Sequence, residues 1–188
     1  MNKYIKIILS ITIISGICGV ILAFTYNKTK EKIAYEDRLD FLNSLKIILP
    51  QYDNSPDEEI INIDNHKIYV ASKDGKVVGY AIAWTSNKGY GGIIEVLVGV
   101  DTYGKIYGVS VLKHKETPGL GDKIIKQDFL KLFTSLSDYS KISVKKDGGI
   151  IDEFSGATMS PRAVSDAVRN GLKFIQDNLI SGENNGIK

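Results

Sequence analysis

Two short segments of the sequence combine residue types suited to holding a phosphate. The first, Asp152–Thr158, reads DEFSGAT and precedes Ser160 and Pro161, which we expect to cap and open the last helix. Its glycine and alanine leave little bulk beside the Thr158 hydroxyl, and a helix N-terminus attracts anions. The pattern is typical of a phosphate site. The residues alone favour an ordinary turn and cap over such a site, because Ser, Thr and Gly are common loop residues.

The second segment, His114–Gly121, reads HKETPGLG and follows a predicted strand. Its proline and glycines predict a tight loop that presents backbone amides and one apolar tip, Leu120. A plain connection between a strand and a helix is the competing interpretation. His114 has no partner that the sequence identifies, and a single histidine is more often structural than catalytic.

Composition limits the chemistry that these segments can perform. The chain has 188 residues with a net charge of +2; its first 27 residues carry two lysines and no acidic residue, so the remainder, with 22 basic and 22 acidic residues, is neutral. A neutral body is a poor binder of phosphate backbones, which argues against nucleic acid as a partner. With one cysteine and two histidines, no disulfide framework, iron–sulfur cluster or Cys/His zinc site can form. We therefore expect no metal, and any redox function needs an organic cofactor.

An uncharged stretch near the N-terminus, Ile7–Phe24, predicts a membrane-spanning helix. Its eighteen residues would cover roughly 27 Å as a helix, close to the thickness of a bilayer's hydrocarbon core. Its hydroxyl residues can bond to the helix's own carbonyls, and Cys18 serves as a small apolar residue. A cleaved signal peptide is the alternative, but no A-x-A site precedes a plausible cut. Basic residues flank both ends, so charge counting alone does not settle the orientation.

Hydrophobic periodicity divides the chain into an anchor at 1–27, a linker helix at 28–50 that Pro50 closes, and a domain at 51–188. In the domain, Asp74-Gly75 predicts a hairpin, and the glycine-rich stretch 86–92 reads as a turn. The fold class is α+β: a single N-terminal transmembrane helix, then a β-rich domain with flanking helices. The expected strands are 67–72, 77–85, 93–100, 105–112 and 141–145, and the expected helices are 122–133 and 160–179, followed by a frayed tail at 181–188.

A family resemblance rests on both segments. The residues Asp152-x-x-Ser155-Gly156-Ala157-Thr158 match the motif D-x-x-[ST]-G-A-[TS] of covalent FMN-binding domains, and Glu116–Gly121 matches their E-T-P-G-L-G loop. With one N-terminal anchor and a short domain, the chain resembles the G subunit of Rnf-type ion-translocating electron transport complexes. The similarity covers nearly the whole chain in order.

The resemblance implies one covalent FMN, attached through its phosphate to Thr158 by a flavin transferase that uses FAD and releases AMP. Asp152 would belong to the sequence that the transferase recognises. The other residues implied to bind the cofactor lie in the two motifs and at the helix start: Ser155, Gly156, Ala157, Ser160, Glu116, Thr117, Gly119 and Leu120. Such a domain passes electrons and catalyses nothing alone, since the flavin ring carries the electron chemistry.

The resemblance also implies partners and a location. The partners would be the other membrane and redox subunits of a complex that couples ferredoxin and NAD chemistry to ion movement. The FMN domain would lie outside the cytoplasm, anchored in the cell (inner) membrane by a single pass. Two alternatives stay open: the C subunit of the Na⁺-translocating NADH:quinone reductase, which shares both motifs but is typically longer, and a membrane-anchored binding module without a cofactor.

Overall fold

One long helix, α1, runs from Lys3 to Ile48 in a computed structural model that describes residues 3–180. The chain divides into two units between Asp40 and Phe41. In the first unit, α1 is long and apolar enough to cross a membrane, and its apolar side chains are exposed. The hydroxyls of Ser10 and Thr12 donate to carbonyls one turn earlier in the helix at 2.9 Å, as we predicted. The helix shows no break at residue 27, and it ends just before Pro50.

The second unit is built on a five-stranded antiparallel sheet in the order β1-β2-β3-β4-β5. The Asp74-Gly75 turn has positive φ at both residues, which confirms the predicted hairpin. One strand was not predicted: β1 pairs with β2 through a turn at Asp64 and Asn65, two residue types that tolerate a left-handed backbone. The strands are β1 Ile60–Ile63, β2 His66–Lys73, β3 Lys76–Ser86, β4 Ile94–Asp101 and β5 Ile106–Lys113.

Helices cover both faces of the sheet, so the predicted α+β class is confirmed. On one face lies α3, Met159–Ile175, which packs against β3 and β4. The spacing of the apolar residues predicts a stripe of Val164, Val168, Leu172, Ile175 and Leu179; the first four are buried, and Leu179, which follows α3, is partly buried. On the other face, the end of α1 packs through Leu45 and Ile48 onto Ala71, Ala81 and Leu97.

The predicted helix over 122–133 is wrong as a single element. The chain forms a 3₁₀ turn at Gly121–Ile125, a short helix α2 at Gln127–Leu130 and a second 3₁₀ turn at Lys131–Phe133. Lys126, with ψ of 137°, is extended and interrupts the helix. Of the five apolar residues that gave the helical spacing, the bent path buries Ile124, Phe129, Leu130 and Phe133 and leaves Ile125 exposed.

The predicted strand over 141–145 is also wrong. Only Val144 forms a bridge, to Ile151, between 3₁₀ turns at Tyr139–Lys141 and Lys145–Asp147. Val144 is buried, and Gly148 at φ of +83° turns the chain back immediately afterwards, so no ladder can extend.

The start of α3 differs from the prediction as well. The helix begins at Met159, and Thr158 rather than Ser160 is its N-cap residue. The reason is that the Ser160 hydroxyl is buried and donates to Glu116. After Ile175 the chain continues as a π-helical turn, Gln176–Ile180, and the predicted tail at 181–188 lies outside the described residues.

Candidate functional site

Two similar turns present the two motifs. In the first, the Leu120 amide donates to the Thr117 carbonyl at 3.2 Å, and Gly119 at the third position has φ of +79°. In the second, the Ala157 amide donates to the Phe154 carbonyl at 3.1 Å, and Gly156 at the third position has φ of +80°. A positive φ at the third position is typical of type II turns and favours glycine. The glycines of both motifs are therefore explained by backbone conformation.

These turns enclose a cavity of about 470 Å³, a volume within the range of small-molecule sites. It brings together most of the residues implied by the resemblance: Glu116, Thr117, Leu120, Gly156, Ala157, Thr158 and Ser160. Tyr90, Gly121 and Met159 complete its lining. Asp152, Ser155 and Gly119 do not line it and are exposed at the surface around the two turns.

Thr158 presents its hydroxyl without using it as a helix cap, since the side chain makes no capping bond to a backbone amide. The ammonium of Lys146 lies 3.5 Å from Thr158 Oγ1 and 3.9 Å from a carboxylate oxygen of Glu153. The first turn of α3 carries no acidic residue. A negative group on this hydroxyl would therefore meet a cation and the positive end of a helix.

The loop that carries Lys146 is held against α3 by a forked ion pair. Arg162 donates from Nε and from its terminal nitrogen to the two carboxylate oxygens of Asp147, at 2.5 and 2.8 Å. These bonds lower the pKa of Asp147 and raise the pKa of Arg162. In the same loop, Lys145 pairs with Asp152 at 2.6 Å. Ion pairs thus join this loop both to α3 and to the DEFSGAT segment.

Glu116 forms part of the wall from a buried position. Its Oε1 accepts the Gly91 amide at 3.1 Å, and its Oε2 accepts the Ser160 hydroxyl at 2.7 Å. Both carboxylate oxygens are thus engaged within the chain, and the side chain links three separate segments. His114 Nδ1 accepts the Glu116 amide at 3.2 Å, a structural role in keeping with our interpretation.

Sequence reasoning missed Tyr90, Met159 and Lys146. Tyr90 carried a weak signal, as a large aromatic residue within a glycine-rich stretch. Met159 and Lys146 carried none, because their positions depend on where the helix begins and on the 145–147 turn. The assembled site offers an accessible hydroxyl beside a cation, together with an apolar lining from Tyr90, Leu120 and Met159.

Comparison with protein families matches this part of the chain to the FMN-binding domain over residues 89–173. The match begins at Gly89, before Tyr90, and ends within α3, so it contains every residue that lines the cavity. The lining fits such a cofactor, since it combines apolar side chains for a flat ring with a hydroxyl and a cation for a phosphate.

Several curated proteins resemble the chain over most of its length. The G subunit of the ion-translocating oxidoreductase complex of Stutzerimonas stutzeri is 38% identical over 179 residues, which cover 88% of this chain and 78% of that protein. The protein of the same name from Aliivibrio fischeri (strain MJ11) is 39% identical, over 82% of this chain and 81% of its own. The one from Haemophilus influenzae (strain PittEE) is 38% identical, over 88% and 86%.

A solved structure resembles part of the chain. The C subunit of the Na(+)-translocating NADH-quinone reductase from Parabacteroides distasonis superposes with a TM-score of 0.47 at 25% identity, over 58% of this chain and 60% of that one. The superposition is too partial to bear on function.

Proposed function

Since this chain belongs to the family of G subunits of ion-translocating oxidoreductase complexes, we propose that it carries electrons through FMN attached by its phosphate to Thr158. Membership in this family and the matched domain make the chain a flavin-containing electron-transfer subunit of a membrane complex. The attachment site and the partner specificity are the parts that we add.

One observation supports Thr158 as the attachment point. Its hydroxyl lies in the wall of the cavity, makes no capping bond and has the Lys146 ammonium 3.5 Å away. The other two hydroxyls of this region are less suitable. Ser160 is buried and donates to Glu116, whereas Ser155 is exposed and does not line the cavity.

The chain's residues would divide the work of holding the cofactor. Lys146 and the first turn of α3 would neutralise the phosphoester, while Leu120 and Met159 would shield the ring from water. FMN supplies the electron-carrying chemistry when bound. Glu116 would act indirectly, because its carboxylate is buried and holds the walls together through Gly91 and Ser160.

A flavin transferase would recognise the exposed part of the DEFSGAT segment. Asp152, Ser155 and Gly156 are all exposed, and the turn at Gly156 keeps Thr158 next to this surface. Because the segment is accessible in the folded chain, we expect attachment to take place after folding.

The name of the relatives supports assembly with the other subunits of an oxidoreductase complex, and the electron donor, the electron acceptor and the orientation come from the family resemblance. We propose that other membrane and redox subunits assemble with this chain, that the complex exchanges electrons between ferredoxin and NAD, and that the flavin domain faces away from the cytoplasm. Helix α1 is long and apolar enough to supply the membrane anchor.

The decisive experiment is to produce the full chain with and without a flavin transferase and to measure intact mass and in-gel fluorescence after denaturation. We expect one FMN per chain only with the transferase. Thr158→Ala should abolish the signal, and Thr158→Ser should retain part of it, because the attachment requires only a hydroxyl.

Ser155→Ala and Ser160→Ala test the two neighbouring hydroxyls. Both should still carry flavin but at a lower yield, because Ser155 lies in the segment that the transferase recognises and Ser160 donates to the buried Glu116. If Thr158→Ala remains fluorescent in the denaturing gel while either serine variant loses the signal, the attachment site lies at that serine and the assignment to Thr158 fails.

A further inference from the structure

The glycine-rich stretch between β3 and β4, which we predicted to be a plain turn, contributes one residue to the wall of the cavity. Its Tyr90 lines the cavity, and 74% of the residue's surface is exposed. Leu120 and Met159, at 48% and 46% exposed, are the other large apolar residues of the described lining. Three large side chains around one cavity are thus each exposed over about half of their surface or more.

The backbone under Tyr90 is held in place by close contacts. The Gly91 amide donates to Glu116 Oε1 at 3.1 Å. A Cβ at Gly91 would collide with the carbonyl of Lys115, and one at Gly89 would lie 2.6 Å from Glu116 Oε1. The stretch therefore packs directly against the loop that carries the ETPGLG motif, and glycine is required for that approach.

The Glu116 carboxylate couples this wall to the attachment site. One oxygen holds Gly91, next to Tyr90, and the other accepts the hydroxyl of Ser160, two residues after Thr158. A Cβ at Gly121 would lie 2.5 Å from Glu116 Oε2, so the carboxylate is enclosed on that side too. A single buried acid thus links the residue after Tyr90 to the first turn of the helix that follows Thr158.

We propose that Tyr90 is the aromatic contact of the flavin ring and that Glu116 is the residue that positions it. This inference rests on the proposed function. Flat aromatic groups gain stability when stacked, and Tyr90 is the one aromatic side chain among the described residues that line the cavity. Its side chain is also accessible from the cavity, since 74% of the residue's surface is exposed.

The test uses the full chain carrying covalent flavin, with Tyr90→Leu, Tyr90→Phe and a control, Tyr103→Leu. Tyr103 is 88% exposed in the turn between β4 and β5 and does not line the cavity. Covalent flavin content is measured by intact mass. Native flavin fluorescence and the flavin's reduction potential are then measured per bound flavin.

Fluorescence and reduction potential distinguish the effect of the tyrosine hydroxyl from the effect of its aromatic ring. A phenol in contact with a flavin quenches its fluorescence, and a phenyl group does not, so both Tyr90 variants should brighten several-fold. The reduction potential depends on the stacked ring, so Tyr90→Phe should resemble the wild type and Tyr90→Leu should shift it. Tyr103→Leu should change neither property, and all four chains should carry equal flavin.

Wild-type fluorescence and potential in Tyr90→Leu would overturn the inference. If such a variant also failed to assemble with the other subunits of the complex, Tyr90 would belong to a docking surface instead. Absence of covalent flavin from the wild-type chain would overturn the proposed function itself, and the mass measurement distinguishes that failure from the first.

Discussion

The carboxylate of Glu116 accepts a hydrogen bond from the hydroxyl of Ser160 at 2.7 Å, which joins the loop after β5 to the first turn of α3. The two residues are 6% and 1% exposed, so water does not compete for this bond. The ETPGLG loop and the start of α3 are far apart in the sequence, and this bond holds them together at the cavity.

Ser160→Ala should therefore destabilise the folded chain. The variant removes a donor from a buried carboxylate, at a cost of about 1–3 kcal/mol. The measurement is urea unfolding of the flavin-free full chain in detergent. Ser155→Ala is the control, since its hydroxyl is exposed and should leave stability unchanged. Equal midpoints for the wild type and Ser160→Ala would mean that the bond contributes nothing.

Lys146→Gln should slow flavin attachment to Thr158. The variant removes the cation 3.5 Å from the hydroxyl, and an attraction of about 1 kcal/mol at a partly exposed site corresponds to about fivefold in rate. The measurement is the rate at which covalent flavin appears in the purified chain with a flavin transferase and FAD.

Two further variants test whether the effect of Lys146→Gln comes from the loss of a positive charge at this position. Lys146→Arg keeps the charge and should preserve most of the rate. Lys141→Gln removes an exposed lysine that pairs with Asp138 and does not line the cavity, so it should react like the wild type. A slow Lys141→Gln would show that overall charge, rather than the position of Lys146, governs the reaction.

The sequence allowed much of the fold and part of the site to be predicted, for physical reasons that differ between elements. The Asp74-Gly75 hairpin and the stripe of α3 followed from local rules, turn chemistry and the helical period. The region 122–133 did not, because its apolar residues are buried by a bent path that the same spacing also permits. Lys146 reaches Thr158 only through a tertiary contact, which no spacing encodes.

Arg162→Gln should raise the pKa of Asp147. In the wild type, hydrogen bonds from Arg162 hold that pKa below its ordinary value. A carboxyl whose pKa is depressed by folding stabilises the fold above its unfolded-state pKa, and the contribution disappears as the pH falls through the folded-state value. The ion pair should therefore persist at neutral pH and weaken only in acid.

Carboxyl carbon NMR of the full chain in detergent measures this titration. Asp138 is the internal control, because Ser140 and Lys141, rather than Arg162, lower its pKa. An Asp147 titration that does not move in Arg162→Gln, or an Asp138 titration that moves equally, would refute the assignment of the shift to Arg162.

The domain should be cleaved by protease added outside intact spheroplasts. We expect it to face away from the cytoplasm, with Met1 inside, although lysines flank both ends of the apolar stretch. The measurement is loss of the full-length band, with a known external protein as a positive control. Complete protection of the region after Asn27, while that control is cut, would reverse the orientation.

Leu120→Ala should leave covalent flavin content unchanged and shift the flavin's reduction potential, because it alters an apolar wall of the cavity and not the attachment point. Gly119→Val should shift it further. A Cβ at Gly119 meets open space, so the cost there is conformational: φ is +79°, where a β-branched residue is strained. Redox titration of the flavin-loaded chains measures both effects.

The control is Leu132→Ala, which changes a partly exposed leucine outside the cavity. Titration curves identical to the wild type for both loop variants would exclude the loop from the ring's surroundings.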